Sequence, residues 1–467
     1  MINLKHLKSC TSIQDQLDLE LNTSLNFVTD TRKISSQTAF VAIPGAKVNP
    51  LTLLSEALLN KCKLVFFENN SSNIEIVSDL RNKFPGVRFL GVSDSVKFLQ
   101  ELTSYHIREW QQQRKSNTVF AISGSNGKTT HKEMLSHILK SVIPGKVVAT
   151  EKNNNNHLGV PLTLLNVNIE TEFVVLELGS NHPGEIKVLC DISHPNAGLT
   201  TNIGATHLEF FATEENVFLE EGYLYHAVNS NTSGQGFFLI NLDDIFLSKL
   251  SCTRGSISYG ERADASAVVS FFDNGAAIKF KDLNLKVIND LITGRHNKLN
   301  LVTCVFIAHH FYPHLSSSIL EAASNFRPTK NRSEWIEFEN KPVFLDAYNA
   351  NPSSMKAALL AFKEDVLARG LALKQACIVL GDMNELGENA SSYHEDVGHY
   401  VESLGFENVY FVGRYADFYL KGFSHGLKRL NASEFKSEYR KDCIKKFSIH
   451  FIKGSRSLQL ESLFDIT

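Results

Sequence analysis

The segment SGSNGKTT, residues 123–130, lies between an apolar run at 118–123 and a helical pattern, KTTHKEMLSHILK, whose Met134, Leu135, Ile138 and Leu139 share one face. Strand, glycine turn and helix in that order build a cradle in which backbone N–H groups and a helix N-terminus meet anionic oxygens. Such a cradle forms at the carboxyl edge of a strand in a sheet covered by helices, so the segment points to an α/β domain of the P-loop ATPase type. Within it Lys128 is placed to reach the β- and γ-phosphates and Thr129 to offer its hydroxyl to Mg²⁺, with Gly124, Asn126, Gly127 and Thr130 completing the nucleotide contacts. The spacing is a shortened GxxGKT, because Ile122 stands where the longer GxxxxGK[ST] loop has its first glycine.

A chain of 467 residues corresponds to about three domains. The polar stretch QQQRKSN at 111–117 and the renewed strand and helix alternation beyond ~330 divide it into 1–116, 117–328 and 329–467. The last part repeats an α/β pattern, with strands expected at 343–345, 376–380, 409–412 and 449–452 and helices at 353–368, 391–404 and 433–446. It has no GxGxxG after its first strand, which argues against dinucleotide binding there. With 47 Lys+Arg against 50 Asp+Glu the net charge is −3, which excludes a dedicated nucleic-acid binder. Seven cysteines, each more than fifty residues from the next, form no CxxC pair and read as free thiols of a reducing compartment. With no apolar signal core and no membrane-length apolar run, the expected location is the cytoplasm.

A phosphate site calls for metal ligands, and two candidates stand at strand ends: Glu177 in FVVLELGSN and His207 in TNIGATHLE. In open α/β sheets both positions face the crevice that holds the glycine loop. A hard Mg²⁺ takes the carboxylate and the Thr129 hydroxyl readily, and an imidazole less usually.

GSNGKT, NNNNHLGVP, ELGSNHPGEI, TNIGATHLE, GRHNKLN, DAYNANPSSM, GDMNELGE and KGSRSLQLE follow one another from Gly124 to Glu461. In that order they resemble the Mur ligases of peptidoglycan synthesis. The resemblance implies three domains: an N-terminal one for a uridine nucleotide, a central ATPase and a Rossmann-like C-terminal one that delivers the incoming amine. YNANP, GDMxELG and KGSR resemble the member that adds a dipeptide. The activity implied is ATP- and Mg²⁺-dependent joining of D-alanyl-D-alanine to UDP-N-acetylmuramoyl-tripeptide through an acyl phosphate, by an enzyme expected to be monomeric. The alternatives are a related amide ligase of the folylpolyglutamate synthetase type and a nucleotide-binding paralogue without turnover. Carried over by position, Glu177 and His207 resemble the magnesium ligands, Asn297 and Asn300 the adenine contacts, Arg332 the arginine that reaches ATP across the domain gap, and Asp346 the ribose carboxylate. Asn155 and Asn156 resemble residues facing the UDP-sugar. Thr31 and Arg32 in VTDTRK resemble a DSR element near the uridine diphosphate, and Tyr348 and Asn349 are expected to line the dipeptide pocket.

The chain departs from that pattern twice. Where the family has an Asp-Gly-His element after FVAxxG, FVAIPG is followed here by Val48, Asn49 and Pro50. Many Mur ligases also carry a carbamylated lysine that supports a second metal ion, and Glu221 occupies that position in HLEFFATEENVFLEEGYL. A glutamate is a permanent oxygen donor but about three chain atoms shorter, roughly 3–4 Å. Glu221 is therefore expected among the metal ligands, with a bridging water or a backbone shift making up the distance.

Overall fold

The computed structural model describes residues 4–15, 25–45, 47–54, 59 and 61–464. These form three sheets, each confined to one stretch of the chain. The first has four parallel strands in sequential order, Asn26–Val28, Thr38–Ala42, Leu64–Glu68 and Arg88–Val92. The helix Ser95–Gln113 buries Phe98, Leu99 and Leu102 against this sheet and ends just before the next domain's first strand. The polar stretch after it is short and tied down, because buried Asn117 donates its side-chain amide to the Trp110 carbonyl.

The nine-stranded central sheet is organised around Thr118–Ser123, which is buried at every position. It runs parallel to Phe173–Glu177 on one side and Ala197–Thr200 on the other. A strand covered on both faces has no polar side to alternate with, which is why these segments read as continuous apolar runs. The helix Lys128–Val142 covers one face with Met134, Leu135, Ile138 and Leu139, all buried, and packs on the helix Arg295–Phe311. The helices Glu185–Ser193 and Tyr223–Thr232 cover the other face. Beyond Phe237–Asn241 and Ser256–Gly260 the sheet continues into Ala267–Phe272, Gly275–Phe280 and Leu283–Ile288, the last two joined antiparallel.

The third sheet orders its strands Glu334–Phe338, Lys341–Asp346, Ile449–Lys453, Ala376–Gly381, Val409–Val412 and Leu427–Arg429, parallel except for the first. The helices Pro352–Ala368 and Ala390–Ser403 lie close to their expected spans, whereas 433–446 is broken into Ala432–Glu438, a π-turn at Tyr439–Cys443 and a final short turn. The register sets Asp346 directly opposite Lys453 at the carboxyl ends of two neighbouring parallel strands. All seven cysteines are free thiols, and no helix among the described residues is long and apolar enough to cross a membrane.

Candidate active site

The glycine loop leaves the carboxyl end of Thr118–Ser123 and turns directly into the helix that begins at Lys128. Gly124 sits at φ 118°, and a Cβ there would come within 2.2 Å of the Thr201 hydroxyl oxygen, so only glycine fits. Gly127 holds a left-handed φ of 79° as the residue capping the helix. Gly124→Ala is expected to lose about 1–3 kcal/mol to dihedral strain alone, read as a lowered urea midpoint at unchanged m-value. Behind the loop, His131 Nδ1 lies 3.0 Å from the Gly127 carbonyl. Burial pushes this imidazole down to about 4, so it is neutral at pH 7 and leaves the loop's charge to Lys128.

A cavity of about 700 Å³ opens over the loop, walled by the central domain on one side and the C-terminal domain on the other. Asn126, Gly127, Lys128, Thr129, Thr130, Asn155, Asn156, Glu177, His207, Asn297, Asn300, Arg332, Asp346, Tyr348 and Asn349 all line it. Glu177 Oε1 accepts hydrogen bonds from the Thr129 hydroxyl and the Asn155 amide, each at 2.9 Å. Its Oε2 is buried and has no hydrogen-bond partner. An unpartnered carboxylate oxygen beside a hydroxyl is a donor pair suited to a hard divalent cation. His207 holds a left-handed φ of 52°, with Nδ1 2.6 Å from Glu385 Oε2 of the C-terminal domain. Asn300 packs against Gly127, and Asn297 donates to the Thr293 carbonyl.

From the C-terminal side, Arg332 lies over the Tyr348 ring at 3.8 Å. Asp346 Oδ2 is 2.5 Å from Lys453 Nζ, whose ammonium also donates to the Asn349 carbonyl. Lys453 is buried, so the pair is a desolvated one in which each charge depends on the other. His296 lines the same wall and is pushed down to about 4 by burial, which leaves it neutral beside that pair. Asn126 spans the two domains, donating to Ser353 Oγ at 2.9 Å and accepting from Asn351 Nδ2 at 2.6 Å.

Four residues expected at the site, Gly124, Glu221, Thr31 and Arg32, do not line this cavity, and the Gly124 N–H is taken by Glu221. Glu221 does not line the cavity. Its carboxylate is buried under the loop, where Oε2 accepts the Gly124 N–H at 2.7 Å and Oε1 lies 3.6 Å from Lys128 Nζ. Where a metal ligand was expected, the short side chain stops at the loop, and both oxygens face donors there. Thr31 and Arg32 stand on a turn of the N-terminal domain outside the cavity, with the Arg32 guanidinium on its neighbour Asp30. Asn156 spends its side-chain oxygen on the Leu158 and Gly159 N–H groups at the start of a helix, and Asn155 spends its amide on Glu177. Three residues escaped the sequence reading: Lys453, Glu385 and Glu220. Glu220 accepts from Ser180 Oγ and from the Gly184 and Ile186 N–H groups, so consecutive carboxylates on one helical turn hold two loops beside the cavity.

Residues 122–308 match the Mur ligase middle domain, and residues 331–441 match the Mur ligase, glutamate ligase domain. The UDP-N-acetylmuramoyl-tripeptide–D-alanyl-D-alanine ligase of Haemophilus influenzae is 29% identical over 419 residues, 88% of this chain and 85% of that protein. A crystal structure of MurF from Acinetobacter baumannii is similar at TM-score 0.80 and 25% identity, covering 98% of this chain and 97% of that one. MurF from Thermotoga maritima in complex with ADP shares the fold at TM-score 0.75 and 23% identity, covering 94% and 96% of the two chains.

Proposed function

Because the chain belongs to the Mur ligase family, we propose that it joins D-alanyl-D-alanine to UDP-N-acetylmuramoyl-tripeptide, cleaving ATP to ADP and phosphate, as a monomer in the cytoplasm. The observation that carries this reading is the single cavity in which the glycine loop, the Glu177 carboxylate and the Asp346–Lys453 pair face one another across two domains. The seven free thiols agree with a reducing compartment.

In the proposed reaction, the tripeptide's terminal carboxylate attacks the γ-phosphorus of ATP, the bond to the β-phosphate oxygen breaks, and ADP leaves. The amine of D-alanyl-D-alanine then attacks the acyl carbon, and phosphate departs with one oxygen of the original carboxylate. The loop N–H groups and Lys128 hold and neutralise the phosphates, and most of the acceleration is positioning and electrostatics. Thr129, Glu177 and His207 would hold magnesium, which when bound supplies charge neutralisation at the phosphates. Asn297 and Asn300 face the adenine, Arg332 reaches the nucleotide from the far side, and Asp346, oriented by Lys453, receives the ribose. Tyr348 and Asn349 border the dipeptide. The contacts of Asn126 with Asn351 and Ser353 close the gap over the loop and keep water from the acyl phosphate.

Steady-state ADP release is the direct test: beyond a single turnover it is expected only when the UDP-tripeptide and D-alanyl-D-alanine are both present, with glutamate unable to replace the dipeptide. Release with glutamate and no response to the dipeptide would overturn the reading. Asn297→Ala is expected to raise the KM for ATP about two- to tenfold, the loss of a hydrogen bond of ~0.5–1.5 kcal/mol. An unchanged KM for ATP with a raised KM for the dipeptide would place the nucleotide elsewhere.

A further inference from the structure

His207 and Glu385 meet across the interface of the central and C-terminal domains, and both hold left-handed backbone conformations, at φ 52° and 64°. Neither residue is a glycine, so each conformation is strained and needs its surroundings to maintain it. The surroundings here are mutual. The Glu209 N–H donates to the Glu385 carbonyl at 3.3 Å, and Gly387 packs so tightly on the Leu208–Glu209 backbone that a Cβ would lie 3.3 Å from Glu209. Tyr393 of the C-terminal domain packs on the small apolar cluster of Ala205, Leu208, Phe211 and Val217. The segment carrying His207 is thus shaped by the C-terminal domain through backbone, apolar and polar side-chain contacts together.

The chemistry of this contact is directional. Glu385 Oε2 lies 2.6 Å from Nδ1 without the alignment of a formed hydrogen bond, and a carboxylate so close favours the imidazole tautomer with its proton on Nδ1, which leaves the lone pair on Nε2. A carboxylate that fixes the tautomer and ring orientation of a ligating histidine is a recurrent support of metal sites. We infer that Glu385 is a positioning residue that turns the Nε2 lone pair of His207 toward the cation site beside Thr129 and Glu177, so that this ligand is completed only when the C-terminal domain is seated. The inference rests on the proposed metal role of His207 and adds the residue that sets it.

The experiment is an electron paramagnetic resonance titration of Mn²⁺ into the full-length enzyme saturated with ADP. It compares the wild type with Glu385→Ala, Glu385→Gln and His207→Ala, alongside ADP affinity measured in a chelator. Glu385→Ala is expected to weaken Mn²⁺ binding by about tenfold or more, with metal-free ADP affinity unchanged. Glu385→Gln, whose amide oxygen keeps an acceptor beside Nδ1, is expected to stay close to wild type. His207→Ala is expected to lose at least as much as Glu385→Ala. Wild-type Mn²⁺ affinity in Glu385→Ala, with His207→Ala impaired, would overturn the positioning role and leave the metal role of His207 standing. A Gln variant as weak as the Ala variant would overturn it as well, since an acceptor at Nδ1 would then not suffice. Wild-type affinity in His207→Ala would overturn both.

Discussion

Lys128→Ala is expected to lower turnover by at least about 10³-fold while leaving the far-ultraviolet circular dichroism near wild type. The lysine is the first residue of the helix that follows the loop, and its ammonium bonds the Gly124 carbonyl and faces the Glu221 carboxylate. It therefore sits at the root of the phosphate cradle, where no other cation replaces it in the loop SGSNGKTT. The fold survives because the Gly124 N–H keeps its acceptor in Glu221 and the buried face of the helix is untouched. Turnover within tenfold of wild type would remove Lys128 from the mechanism.

Glu221→Ala is the second large effect, and its origin lies in the loop. The substitution strips the Gly124 N–H of its acceptor in a buried place, which costs about 1–3 kcal/mol, and it leaves Lys128 without its anion. Turnover is expected to fall about 10²-fold, the kinetic equivalent of roughly 3 kcal/mol. Raising the magnesium concentration should not restore it, since the carboxylate holds the loop. Glu221→Gln, which keeps an acceptor and loses the charge, should fall between the two. Wild-type activity should be indifferent to bicarbonate, because no carbamate has to form. Glu221→Lys sets an ammonium against Lys128 and the Gly124 N–H, so it should be nearly inactive in CO₂-depleted buffer and recover partly when bicarbonate can convert it to an anion. Full recovery of Glu221→Ala by magnesium would return the residue to the metal site.

The glycine loop was legible in the sequence because everything it needs is local: a strand, two glycines with left-handed φ and the first turn of a helix. Glu177 and His207 were legible for a related reason, since the ends of parallel strands face one crevice whatever the rest of the chain does. Lys453 was not, because its meaning arises only from the pairing of Ile449–Lys453 with Lys341–Asp346, which joins residues 107 positions apart. The loop contacts of Glu221 were not legible, because family position says which element a side chain stands on and says nothing of where a shorter chain stops. Asn156 lines the cavity as expected, and the bonds its side-chain oxygen accepts from the Leu158 and Gly159 N–H groups are a local turn that the sequence NNNNHLG leaves open. The alternation in LNLKVI at 283–288 was likewise present to be read as a half-exposed antiparallel strand. The helix Ala416–Gly422 and the strand Leu427–Arg429 are too short to show a period.

If this cavity activates a carboxylate as an acyl phosphate, an oxygen atom must pass from that carboxylate to the released phosphate. The enzyme is incubated with ATP, magnesium, D-alanyl-D-alanine and UDP-N-acetylmuramoyl-tripeptide labelled with ¹⁸O in its terminal carboxylate. Nucleotide, phosphate and peptide products are then resolved by mass spectrometry. The expected products are ADP, a UDP-linked pentapeptide, and inorganic phosphate carrying one ¹⁸O taken from the carboxylate. Formation of AMP, or a pentapeptide whose partner phosphate holds no label, would contradict that activation.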